Sequence, residues 1–309
     1  LPDGGLRVLY GLIDLGSNTI RLCVYSCENG GFSLLLNEKS FVGLVGYVEN
    51  GRMNAYGCAK AIKTIQKFQR LASCINVTKL HIFATASLRN IINTAEVVER
   101  IHAETGLRPD VLSGEEESHF GFTGANSTLK LDSGLYVDIG GGSTELVYFK
   151  NDRALHETSI PAGCLNLYLE HVKELLPDKK ERRAIRAAVR EELSRVDWLY
   201  GVKTQTICGV GGTIRALKKY RAETASGNGT PLDAGYVRAF IDTMGDPKNL
   251  GYKPLLRVMP DRIHTIVPGL LILDEVLLES GAQQIYVSKH GVREGYLVSK
   301  VLAGEDALG

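Results

Sequence analysis

The chain has 309 residues, 44% of them hydrophobic and 23% charged, with 36 Lys and Arg against 35 Asp and Glu. That balance excludes a globally basic nucleic-acid coat, although opposite charges elsewhere can cancel a local positive patch in the sum. Apolar material is ample for packed cores, low-complexity tracts are absent, and a prior of roughly 150 residues per domain suggests two domains.

Apolar, β-branched runs at 8–14, 20–25 and 32–36 predict three strands. Residues 51–74 read as a helix, because Ile62, Ile65, Phe68 and Leu71 recur at helical spacing while Lys60, Lys63, Lys67 and Arg70 occupy another, solvated face. A strand at 80–84, a helix over 87–105 closed by Gly106, a strand remnant at 111–112 and a helix from 114 to 125 follow. The order then resets. Strands are expected at 135–139, 145–149 and 154–160, and helical sequence includes 178–200. That helix carries Lys179, Lys180, Arg182, Arg183, Arg186 and Arg190; it reads as a solvated face, with guidance of a polyanion by its local field as the alternative. A strand at 206–209, helices at 213–220, 233–243 and 258–280, a strand at 284–287 and a closing helix at 292–302 complete the chain. The longest apolar run, residues 266–273, is far short of the roughly 20 residues that span a bilayer, and no basic region followed by an apolar stretch marks a signal peptide. A soluble cytoplasmic protein with no membrane partner is expected. The cysteines, at 23, 27, 58, 74, 164 and 208, form no CxxC and suit no zinc site. They read as reduced, buried thiols, with a bridge between Cys27 and Cys58 as the alternative.

The two halves share a device. Asp14-Leu15-Gly16-Ser17-Asn18-Thr19 and Asp138-Ile139-Gly140-Gly141-Gly142-Ser143 each follow an apolar strand and precede another, 124 positions apart. Glycine lets such a turn adopt positive φ and approach a ligand. Backbone N–H groups and the hydroxyls of Ser17, Thr19 and Ser143 can then cradle a phosphate. Asp14 and Asp138, at the strand ends, can hold Mg²⁺, which takes one or two carboxylates with phosphate oxygens and waters. A third element, Gly209-Val210-Gly211-Gly212-Thr213, follows an apolar strand and opens a helix; it is either an anion site at a helix N-terminus or a simple turn.

Residues 13–19, Ala84-Thr85-Ala86-Ser87-Leu88-Arg89, Ser113-Gly114-Glu115-Glu116-Glu117, residues 137–146, Gly212-Thr213-Ile214, and the tail Val267-Pro268-Gly269 with Gly291-Val292-Arg293-Glu294-Gly295 resemble, in order and spacing, the exopolyphosphatase / guanosine pentaphosphate phosphatase family. The resemblance covers nearly the whole chain and is to the short, two-domain form. It implies an α/β fold of two ribonuclease H-like lobes, as in the actin / sugar kinase / heat-shock chaperone superfamily, with a cleft between them. The lobes are expected at 1–127 and 128–309.

The resemblance also implies roles. Glu117 is the expected general base, taking a proton from the attacking water. Asp138 and Glu145 would bind or orient Mg²⁺, with Mn²⁺ as a substitute. Ser17, Asn18, Arg89, Gly141, Gly142 and Ser143 would hold phosphates. The substrate is expected to be inorganic polyphosphate or guanosine pentaphosphate; no nucleic acid is expected, and a homodimer is left open. Bland readings compete. Glu115, Glu116 and Glu117 suit a helix N-terminus, Arg89 a helix surface, Glu145 a solvent-facing strand position, and His119 an exposed helical histidine. Three departures from the family pattern stand out: the uncharged Val42-Gly43-Leu44-Val45-Gly46-Tyr47, Ser118 in place of Ala, and Cys164-Leu165-Asn166 where an Arg is common. They bear on substrate more than on reaction type, and they leave a non-catalytic polyphosphate or alarmone sensor, and less so an actin-like ATPase, as other function classes.

Overall fold

The computed structural model describes residues 8–28, 31–224, 231–244 and 252–306. The chain divides into two compact units, Leu1–Ser113 and Gly114–Gly309.

In the first unit, strands β1 (Val8–Leu15), β2 (Thr19–Glu28) and β3 (Gly31–Phe41) form an antiparallel meander. A short hairpin, β4 (Val48–Glu49) and β5 (Arg52–Met53), leads into helix α1 (Ala55–Cys74). Strand β6 (Lys79–Ala84), helices α2 (Ala86–Arg89) and α3 (Thr94–Thr105), and strand β7 (Asp110–Val111) follow. The sheet order is β3-β2-β1-β6-β7, with β6 and β7 parallel to β1. The core lies between sheet and helices, where Ile13, Leu15 and Leu22 meet Ile65, Phe68 and Ile101.

The second unit opens with helix α4 (Gly114–Leu129) and repeats the plan. Strands β8 (Ser133–Ile139), β9 (Thr144–Lys150) and β10 (Arg153–Ile160) form the meander. Helices α5 (Cys164–His171) and α6 (Lys179–Ser194) precede β11 (Thr206–Val210) and α7 (Gly211–Thr224). Then come β12 (Leu232–Asp233), α8 (Ala234–Thr243), α9 (Tyr252–Val258), α10 (Ile266–Ser280), β13 (Gln284–Val287) and α11 (Val292–Tyr296). The order β10-β9-β8-β11-β13-β12 matches that of the first sheet, with β12 added antiparallel at the edge. Each unit is thus a ribonuclease H-like lobe, as the resemblance implied. The expected boundary after residue 127 falls inside α4. That helix packs on β9, β10 and α11, so its contacts assign it to the second unit from Gly114 onward.

Several expected elements are reshaped by local chemistry. The helix expected from residue 51 starts only at Ala55, because Asn50 and Gly51 take positive φ in the β4–β5 turn and the Asn54 side chain caps the helix on Gly57 N–H. The helix expected over 87–105 is broken in two. Asn93 turns its amide to the backbone of Met53, accepting from its N–H at 3.0 Å and donating to its carbonyl at 3.1 Å. The segment expected as one helix over 258–280 ends α9 at Val258 and restarts at Ile266 after a 3₁₀ turn at Pro260–Arg262.

The basic helix α6 is not a solvated face throughout. Arg182 is buried, donating to the carbonyls of Pro177 and Ile241, and Arg186 and Arg190 pair with Asp274 and Glu275 of α10. All six cysteines are free, but Cys74 is exposed and Cys27 half-buried. No helix among the described residues is long and apolar enough to cross a membrane.

Candidate active site

The duplicated device is duplicated down to its hydrogen bonds. In the first unit Gly16 N–H donates to the Thr19 carbonyl at 3.1 Å; in the second, Gly140 N–H donates to the Ser143 carbonyl at 3.0 Å. The cross-strand partners differ. Asp14 on β1 stands opposite Arg21 on β2, whereas Asp138 on β8 stands opposite Glu145 on β9.

In the first unit the turn is anchored from its carbonyl side. Val42 and Gly43 N–H donate to Asn18 O, and Val45 N–H to Ser17 O, so the uncharged 42–47 stretch braces the turn by backbone alone. The Ser87 hydroxyl donates to the Leu15 carbonyl and holds α2 against the end of β1. Arg89 closes α2, and its guanidinium donates to the Leu112 carbonyl at 3.2 Å. Ser17 is buried; Asn18, Thr19, Asp14 and Arg89 are half-buried.

In the second unit alternation along a strand puts every second side chain on one face. Register then aligns Asp138 of β8, Glu145 of β9 and Ser159 of β10 in one row. Helix α4 covers that face, with the Ser118 hydroxyl donating to the Thr158 carbonyl at 2.9 Å and His119 Nδ1 3.2 Å from Glu157. The His119 side chain is 54% exposed, in keeping with the bland reading of it. Glu117, in the first turn of α4, is buried. Glu145 is nearly inaccessible, so it is not the solvent-facing strand residue of the alternative reading. Its Oε1 accepts from Ser143 at 2.7 Å and from Ser159 at 2.8 Å. Burial, and after it the charges of Glu117 and Asp138, push the Glu145 carboxyl well above the usual carboxylate range, against the pull of the two hydroxyls.

The glycine turn beside this row has its carbonyls committed. Gly140 O accepts from Cys164 N–H, Gly141 O from Leu165 and Asn166 N–H, and Gly142 O from the Asn166 side chain. The departure at Cys164-Leu165-Asn166 therefore acts as a brace for the turn. Helix α7 starts against the same strand end. Gly211 has φ +89°, and a Cβ there would lie 2.6 Å from Ile139 O and 2.7 Å from Asp138 Oδ1, so only glycine suits the position. The α7 N-terminus thus stands beside Asp138. Thr213 turns its side chain into the packing against Gly269 of α10, which leaves its backbone rather than its hydroxyl at the helix start.

Three arginines lie near this helix start, and two of them, Arg215 and Arg262, were missed in the sequence. The Arg262 guanidinium lies against Gly212. Arg215, one turn into α7, is held below the usual guanidinium range by burial first, then by the positive charge of Arg293, with Arg262 adding to it and Asp138 opposing. Arg293 lay within a quoted motif, but nothing in the sequence signalled that Arg215 and Arg262 join it; only the tertiary fold does.

Among the described residues no group of three or more His, Cys, Asp or Glu side chains is arranged to hold a metal ion. Mg²⁺ does not require one, since one or two carboxylates suffice beside phosphate and water. Asp138 and Glu145 are such a pair, and the like-charge pressure on Glu145 is what a cation would relieve.

Comparison with known proteins gives a consistent picture. A family model described as the Ppx/GppA phosphatase family matches residues 23–303. Exopolyphosphatase 1 of Mycobacterium tuberculosis is 26% identical over 301 residues, covering 94% of this chain and 88% of that protein. The crystal structure of the Aquifex aeolicus Ppx/GppA family member superposes with a TM-score of 0.77 at 27% identity, covering 96% of this chain and 98% of that one. An exopolyphosphatase from Cytophaga hutchinsonii shares the fold, with a TM-score of 0.80 at 23% identity over 96% of this chain and 98% of that one.

Proposed function

Because the chain belongs to the Ppx/GppA phosphatase family, we propose that it is an exopolyphosphatase, releasing orthophosphate from the ends of inorganic polyphosphate with Glu117 as general base and Mg²⁺ held by Asp138 and Glu145. The observation that carries the reading is the cross-strand pair of Asp138 and Glu145, with the charge of Glu117 felt at Glu145, beside a glycine turn and a helix N-terminus in one unit. Acids alone would repel a polyphosphate. Gly140 N–H is spent on the Ser143 carbonyl, so the expected phosphate contact there falls to its neighbours. Next to the amides of residues 141–142 and 211–213 and the arginines at 215, 262 and 293, the acids suit a polyanion that brings its own cation.

Phosphoryl transfer depends on positioning and charge stabilisation. The turn amides and arginines would bind the terminal phosphoryl oxygens. Glu117 would take the proton of a water whose oxygen bonds to the terminal phosphorus. The bond from that phosphorus to the bridging oxygen breaks, leaving orthophosphate and a chain shorter by one unit. Bound Mg²⁺ would offset the charge on the phosphoryl oxygens. Ser143 and Ser159 fix the Glu145 carboxylate by donating to one oxygen, which leaves the other available. By itself, the first unit would offer the Ser17–Thr19 turn and Arg89 as phosphate-binding groups.

Guanosine pentaphosphate would undergo the same chemistry but needs a nucleoside site in addition, and no residue argued above supplies one. The test is phosphate release from short polyphosphate, long polyphosphate and guanosine pentaphosphate with Mg²⁺, for the wild type and Glu117→Gln. Release from polyphosphate that falls at least a hundredfold in the variant is expected. Full activity in Glu117→Gln defeats the assignment of the base, and tight binding without turnover favours a sensor.

A further inference from the structure

Tyr136 lies two residues before Asp138 on β8 and therefore shares its face of the sheet. The side chain is fully buried in a small cluster with Phe122, Val147, Phe149 and Cys208, under helix α4. A tyrosine there needs a reason. Its hydroxyl is the one polar group of an otherwise apolar cluster, and a buried hydroxyl is costly unless bonded. That hydroxyl donates to Asp138 Oδ2 at 3.4 Å, and the charges of Glu145 and Glu117 also act on it. The distance is long for such a bond.

A second feature keeps the hydroxyl in place. A Cβ at Gly121 would overlap the Tyr136 hydroxyl, with the ring carbon bearing it only 2.9 Å away. Gly121 lies one helical turn after Glu117 on the same face of α4. The phenol is therefore wedged between the helix that carries the expected base and the carboxylate expected to hold the cation. Phe122 meets the ring edge-on, with centroids 6.4 Å apart, which limits its sideways movement.

We propose that Tyr136 is a positioning residue, its hydroxyl orienting the Asp138 carboxylate for a divalent cation while Gly121 leaves the space that seats the hydroxyl. A donor on one carboxylate oxygen fixes the rotamer and directs the other oxygen outward, and loss of such outer partners typically lowers metal affinity or activity by 10–100-fold. The inference rests on the metal part of the reading above, but one arm of its test needs no turnover.

Mn²⁺ serves as the probe. Its binding to the protein is titrated by electron paramagnetic resonance, with orthophosphate present and polyphosphate absent, for the wild type, Tyr136→Phe, Gly121→Ala and the double variant. Tyr136→Phe keeps the ring and should raise the Mn²⁺ Kd about tenfold, with the melting temperature preserved. Turnover of polyphosphate should fall by a similar factor at nearly constant KM. Gly121→Ala displaces the hydroxyl without removing it, so it should weaken Mn²⁺ binding too, and the double variant should be little worse than the weaker single one. Wild-type Mn²⁺ affinity in Tyr136→Phe overturns the proposal, as do fully additive losses in the double variant. Absence of Mn²⁺ binding by the wild type overturns it as well. Should polyphosphate prove not to be the substrate, the Mn²⁺ comparison still decides the role of Tyr136.

Discussion

Replacing Arg186 by Ala tests what the basic helix α6 is for. Its guanidinium bridges two adjacent acids of α10, with Nη1 2.5 Å from Glu275 Oε1 and Nη2 2.6 Å from Asp274 Oδ2. Both acid side chains are only 4% exposed, and the arginine 24%. Arg190 also holds Glu275, and Arg238 of α8 holds Asp274 at 2.9 Å. Removing one partner of a buried pair costs about 3–5 kcal/mol, because a charge is left buried with too few partners. Each acid here keeps one arginine, so the lower end applies, about 3 kcal/mol. For a unit of 150–250 residues that is a fall in melting temperature of roughly 6–12 °C. Arg190→Ala should cost far less, about 1 kcal/mol, because its side chain is 62% exposed and Glu275 retains Arg186. Calorimetric melting measures both. Phosphate release at 20 °C should stay within about twofold of wild type in both variants, since the network ties α6, α8 and α10 together rather than reaching the acid row. If Arg186→Ala melts within a few degrees of wild type, or Arg190→Ala costs as much, the bridging argument fails. A large, salt-dependent loss of kcat/KM would instead restore α6 as a guide for the polyanion.

Two further outcomes follow from local geometry. Gly211→Ala forces a Cβ to within 2.7 Å of Asp138 Oδ1 at a φ of +89°, so phosphate release should fall at least tenfold while the variant loses about 1–3 kcal/mol in urea unfolding; a variant with wild-type turnover would show that the α7 start does not control Asp138. Burial pushes the Cys208 thiol up to about 12, with Asp138 adding to the shift, so its thiolate is scarce at every pH up to about 10. Alkylation at pH 8 followed by mass spectrometry should label exposed Cys74 first and leave Cys208 unmodified until the protein unfolds; early labelling of Cys208 would contradict its burial.

What was legible in the sequence is what the local chain dictates. The two glycine turns, the strands around them and the acidic start of α4 carry their own signals, and each stands where it was expected. The β4–β5 turn was also signalled, since Asn-Gly is a strong hairpin pair, but the helical pattern that follows masked it. The break at Asn93 was not legible, because its cause is the backbone of Met53, 40 positions away. The partners of α6 lie 88 and 89 positions along the chain from Arg186. A clue existed there: Asp274 and Glu275 interrupt the otherwise apolar, buried stretch from Ile266 to Leu277, and buried acids need cations. Arg215 and Arg262 had no such clue. Their meeting depends on where α7 and the turn before α10 end up in the fold.

The duplication itself explains why one unit carries the acids. Both hairpins keep the aspartate at the strand end and the same turn hydrogen bond, so the backbone device has been copied intact. The residue opposite has diverged, being Arg21 in one copy and Glu145 in the other. By register Asp14 has a cationic residue, Arg21, as its cross-strand neighbour, although the Arg21 guanidinium also donates to Asn37 Oδ1 at 2.6 Å; a neighbouring cation lessens the need for a metal. Opposite Glu145, half-buried Asp138 faces a second, buried acid, a like-charge pairing that is costly by itself and that a cation would relieve. A stability cost of that kind persists where function requires it. Asp14, expected from the motif to be equivalent to Asp138 as a metal ligand, therefore differs from it in the electrostatics of its neighbour. Asp14→Asn should accordingly weaken Mn²⁺ binding far less than Asp138→Asn in the same paramagnetic titration. Equal losses would mean that the residue opposite each aspartate has no bearing on the chemistry.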